Sequence, residues 1–166
     1  LIVLQGVLGM RSVSELETQA DNISRRMERS LMVADMYSLM GDARRLYLMV
    51  LATDDATERA SLFADIEATT AKRLKEFDAY NASMKIPAAK AKFEELSTLA
   101  VEFDRLGTEF ARLVTASRIA EARMIVAQMS DNGSEVGKGL QQLISDNNQR
   151  GLEDRSAAKV PALFSF

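Results

Sequence analysis

The chain has 166 residues, of which 47% are hydrophobic and 27% charged, with a net charge of −3 at neutral pH. That length suits one compact domain, and the composition is too apolar for a disordered chain. The absence of Cys and His excludes thiolate or imidazole metal sites, His-ligated haem, Glu-x-x-His di-iron pairs and His-based triads, while the mild acidity speaks against a nucleic-acid surface.

The opening LIVLQGVLGM is almost wholly apolar and Arg11 follows it. A complete membrane span needs roughly 20 such residues, and the basic start of a signal peptide is missing. Residues 1–10 are therefore expected to be the end of a truncated transmembrane helix, leading into a folded domain over 11–158. The closing KVPALFSF, residues 159–166, reads as the start of a second span or as sequence foreign to the domain.

Four helices follow from 3.6-residue periodicity. The first runs from about Ser12 to Ala52, continuous with the apolar start. It ends at Thr53-Asp54-Asp55, where Thr53 or Asp54 can cap the next helix and Glu58 sits in its first turn. In its first half Leu16, Ile23, Met27 and Ala34 define an expected core stripe. Beyond Leu31, Met32, Met36, Leu39, Met40, Leu46, Val50 and Leu51 make it apolar over most of its circumference. Such a helix is buried on more than one side, so one side is assigned to its own bundle and another to a second subunit.

The second helix, Ala56 to Met84, carries Leu62, Phe63, Ile66, Leu74, Phe77 and Met84 as its core positions, and Lys85-Ile86-Pro87 breaks it. The third, Ala88 to Thr115, places Phe93, Leu96, Ala100, Phe103, Leu106, Phe110 and Leu113 on one face. After a joint at 116–118 comes the fourth, Ile119 to Ala157, with Ala122, Ile125, Met129, Val136, Leu140, Leu143 and Asn147. The apolar face resumes in phase at Val136, so Asp131-Asn132-Gly133-Ser134 stays helical. Short joints force neighbours antiparallel, and the predicted fold is an all-α, up-down-up-down four-helix bundle with long first and fourth helices.

Two arginines, Arg44 and Arg45, stand in the most apolar stretch of the chain, MYSLMGDARRLYLMVLA. Arginine is always charged and is rarely buried unpaired. A projection at about 100° per residue places Arg44 between Tyr37, Leu48 and Leu51, inside an apolar arc, and Arg45 near the polar edge beside Ser38 and Asp42. On the second helix Arg73 and Thr70 fall in the core stripe with Ile66 and Phe77, and Thr69 at its edge.

Gly41 and Thr69–Thr70 both lie about 14 residues, roughly 21 Å, from the first hairpin tip. Side chains lean toward their own N-termini, which brings Arg44 and Arg73 toward one layer. Phe103 and Asn132–Gly133 reach the same height. The expected result is a gap lined by Arg44, Arg45, Thr69, Thr70, Arg73, Tyr37 and Asn132 that accepts a carboxylate through bidentate arginine bonds.

Taken singly, each arginine has an ordinary alternative. Arg44 can pair with Asp42 or an acid on a neighbouring helix, and Arg73 can form a rim salt bridge. Arg105 and Arg112 lie on a polar face with Glu94, Thr108 and Glu109 and read as solvated. The nine methionines read as adaptable packing. No glycine-rich phosphate loop, acid–base pair or nucleophile set can be assembled, so no enzyme and no cofactor is expected.

The segments MYSLMGDARRLYLMVLATDDATERASLFADIE and SRIAEARMIVAQMSDNGSEVGKGLQQLISDNNQRGLEDRSAA span the two distal tips. Over nearly its whole length the chain resembles the periplasmic four-helix-bundle sensor domain of bacterial methyl-accepting chemotaxis receptors. That resemblance implies a homodimeric domain held between two spans of an inner-membrane protein, signalling to a cytoplasmic kinase-control module. It also implies binding of small carboxylates or amino acids by first-helix arginines near the distal end. Arg44 and Arg45 match that placement, and Arg73 matches no motif of the family. Two rival readings are the sensor half of a membrane histidine kinase and a bundle that only dimerises.

Overall fold

Three short breaks divide the chain into helices that lie side by side: α1 (Ile2–Ala52), α2 (Ala56–Ser83), α3 (Pro87–Thr115) and α4 (Ile119–Ala158). The structure is a computed structural model describing the backbone of residues 2–84 and 86–158 and the side chains of residues 17–84 and 86–149. Among the described residues there is no strand, and the four helices form the up-down-up-down bundle that periodicity predicts. Backbones approach closely along α1–α2, α3–α4 and α1–α4, and at only a few places between α2 and α3.

Each break has a local cause. The cap of α2 is Asp55 rather than Thr53 or Asp54. Its carboxylate accepts from the backbone N–H groups of Thr57 at 2.7 Å and Glu58 at 2.9 Å, satisfying donors that the first turn leaves open. Those two bonds hold the Asp55 carboxyl below its ordinary pKa. Pro87 opens α3, where its missing N–H costs nothing. At the second tip Ser117 takes a left-handed φ of 59°. Its N–H donates to Val114 at 2.9 Å and that of Arg118 to Leu113 at 2.9 Å, closing α3 with paired end carbonyls.

Helices α1 and α4, of 51 and 40 residues, outrun α2 and α3, of 28 and 29. Residues 2–10 continue α1 as backbone. The side chains of the expected membrane-helix end at 1–10 and the whole tail at 159–166 lie outside the described residues. Among the described residues no helix is long and apolar enough to cross a membrane.

The α3 face is buried as read, from Phe93 to Leu113. The α1 face is inverted. Of the stripe expected in the core, Leu16 lies outside the described side chains, and Ile23, Met27 and Ala34 are exposed, the first two by 46% and 65%, as is the neighbouring Leu31. The core is built instead by Val33, Met36, Met40, Ala43, Leu46, Tyr47 and Val50. An apolar surface on two sides gives periodicity no means of choosing which side faces inward. Leu74 of α2 is also exposed, while Phe63 and Met84 only border the core.

Candidate functional site

Arg73 falls among Ile66 and Phe77 on the inner face of α2. It is the one buried charged residue among those described, 1% exposed. Burying an unpaired cation is prohibitive, and three groups compensate it. Its guanidinium forms an ion pair with Asp104 of α3, whose side chain is 28% exposed. It donates to the Met40 sulfur at 3.1 Å, and its Cζ lies 5.5 Å from the centre of the Phe103 ring, within cation–π range. Arg73 therefore ties α1, α2 and α3 together.

Tyr47 completes this cluster. Its ring packs edge-on to Phe103 at 6.0 Å and to Phe110 at 5.1 Å. Gly107 makes room for it, since a Cβ there would stand 2.2 Å from the phenol oxygen. Burial, and then the Asp104 charge, push the Tyr47 phenol up to about 12, with Arg73 partly offsetting them. The folded state thus keeps its proton where an unfolded tyrosine gives it up. The stability that Tyr47 contributes is present below about pH 10 and is lost as pH rises toward 12. We expect stability to fall by about 1–2 kcal/mol across this window and Tyr47→Phe to flatten the fall, as read by urea titrations at stepped pH. An equal slope in the variant would contradict the assignment.

The layer predicted around Arg73 is partly assembled. Phe103 and Gly133 do meet, joined by Met40, which was not expected there: a Cβ on Gly133 would lie 3.4 Å from the Phe103 ring and 4.0 Å from the Met40 methyl. Asn132 is half-buried, and its carboxamide oxygen is buried without a partner. Thr69 and Thr70 are half-buried. Phe103 and the Arg73 side chain occupy the expected gap.

Arg44 does not converge with Arg73. It is exposed at the surface of α1, because the apolar arc that contains it runs from Leu51, packed against the core, out to solvent at Leu48. Tyr37 and Leu48 in that arc are 45% and 50% exposed. Arg44 makes no ion pair or hydrogen bond among the described residues. Arg45 is exposed too, 3.3 Å from Asp42. The Tyr37 hydroxyl accepts from Gln141 of α4 at 3.4 Å, and its ring lies against Gly137. Gly41 faces open space.

The seven predicted site residues thus divide into an inner group, Arg73, Asn132, Thr69 and Thr70, and an outer group, Arg44, Arg45 and Tyr37. Asp104, Tyr47 and Gly107 were not among them. Gly107 could have been noticed as a glycine inside the apolar face of α3, a sign of close approach by a neighbour. Nothing local marks Asp104, which pairs with a residue 31 positions away.

The remaining arginines on α3 are solvated, as their polar face implies. Arg105 pairs with Glu102 at 2.7 Å and Arg112 with Glu109 at 2.6 Å. Arg118, at the start of α4, pairs with Glu121. A shallow recess of about 310 Å³ between α1 and α2 is lined by Asp35, Ser38, Leu39, Lys72, Lys75 and Glu76. No group of Asp and Glu among the described residues is arranged to hold a metal ion. No known family model and no curated protein matches this sequence.

Proposed function

We propose that the chain is the extracytoplasmic sensor domain of a chemotaxis receptor, binding a small organic acid or amino acid without chemical conversion. Arg44 carries this reading. Its guanidinium has no partner among the described residues and is set beside exposed Tyr37 and Leu48 on α1, next to an arginine whose salt bridge is solvent-exposed. Exposed pairs of that kind are worth at most about 1 kcal/mol, so a ligand carboxylate can compete for Arg45 at small cost. Arg73 has an internal carboxylate and serves the bundle instead.

The same face supports a second copy as partner. From Met27 the exposed residues Leu31, Ala34, Ser38, Gly41, Arg45 and Leu48 recur at alternating steps of four and three, the seam of a two-stranded coiled coil. Glu28, Asp35 and Asp42 flank it on one side. Antiparallel pairing would set these like charges opposite one another, and parallel pairing avoids this. The exposed row on α1, apolar at Met27, Leu31, Ala34 and Leu48, equally favours the alternative of a bundle that dimerises without a ligand.

A thermal-shift screen over small carboxylates and amino acids separates the two. A ligand that binds the folded state at 100 times its Kd adds about 2.7 kcal/mol, which raises Tm by roughly 5–10 °C for a domain of this size. A rise that saturates with one chemical class supports sensing. A flat screen with an intact dimer would overturn it in favour of the ligand-free bundle.

A further inference from the structure

The bundle has one wide side. Between α2 and α3 the backbones approach closely at few points, and large side chains span the distance. Phe63 reaches Phe110 at 6.4 Å, Phe77 reaches Phe93 at 5.4 Å and Tyr80 reaches Phe93 at 4.9 Å between ring centres. Midway along, the Arg73–Asp104 pair crosses the same space.

Aromatic pairs tolerate sliding and tilting, whereas an ion pair fixes one arrangement. A buried ion pair adds little over an apolar pair of equal volume, yet losing one member strands a charge. Such a contact suits a two-state fastening better than bulk stabilisation. On α2 the buried Asn81 oxygen also lacks a partner and would gain a hydrogen bond from water on opening.

We propose that the Arg73–Asp104 pair is a latch on the α2–α3 side: releasing it parts α2 from α3 while α1 and α4 stay packed. The latch stands apart from the sensing assignment, and the two can fail separately.

The chain contains no cysteine, so introduced cysteines label cleanly. Spin labels at Leu74→Cys and Val101→Cys, both exposed, report the α2–α3 distance. Labels at Met49→Cys and Met124→Cys, also exposed, report α1–α4. With Asp104→Asn the α2–α3 distribution should gain a second, longer population of about a tenth or more, with α1–α4 unchanged. Both pairs broadening together, or neither changing, would overturn the latch. In the double variant Arg73→Met with Asp104→Leu the α2–α3 distribution should return to a single narrow population. A long population there would show that the pair does not govern opening.

Discussion

Asp104→Ala should destabilise the domain by about 3 kcal/mol, the low end of the range for breaking a buried pair, because the Asp104 side chain is 28% exposed. The cost arises at Arg73, which is 1% exposed and would keep only the Met40 sulfur and the face of Phe103. Neither neutralises a full positive charge. Thermal unfolding should show Tm lowered by roughly 6–12 °C. Glu109→Ala, which removes an acid from an exposed i,i+3 pair on the same helix, should change stability by less than about 0.5 kcal/mol. Equal effects of the two substitutions would show that Arg73 does not depend on Asp104.

Phe110→Ala should cost still more, about 3–5 kcal/mol. The ring is wholly buried and joins three helices, stacking edge-on to Tyr47 of α1 and tilted against Phe63 of α2. Its removal leaves a cavity between stiff aromatic neighbours that cannot easily collapse. Urea denaturation should show the midpoint falling with little change in slope, since the same surface is exposed on unfolding. Leu74→Ala offers the contrast: that leucine is 48% exposed, and its loss should cost under about 1 kcal/mol. A Phe110 variant as stable as the Leu74 variant would mean that this aromatic cluster is not the core.

The architecture was legible in the sequence because breakers and periodicity agree. Pro87 and the Asp55 region end helices where they should, and the single apolar face of α3 is read correctly from Phe93 to Leu113. The α1 face was not legible. Met27, Leu31 and Ala34 are as apolar as Met36, Met40 and Val50, and only the positions of neighbouring helices decide which set is buried. Arg44, expected in the interior, is exposed as well. Arg73 was correctly read as lying among core residues, and its nearness to Phe103 followed from counting along the helices. Its carboxylate partner was missed, because long-range pairing leaves no mark in local spacing. An internal carboxylate thus holds the arginine expected to face a ligand, and the outer arginines remain available for one.

The most direct test of the sensing account is a calorimetric titration of the domain with the acid or amino acid that raises Tm most. It should be run on the unmodified protein, on Arg44→Ala and on Glu109→Ala. Binding should be saturable with the unmodified protein and with Glu109→Ala, and weaker by about 10-fold or more with Arg44→Ala, the order expected for removing one charge-assisted contact, with helicity retained. Undiminished affinity in a folded Arg44→Ala domain would contradict the sensing account.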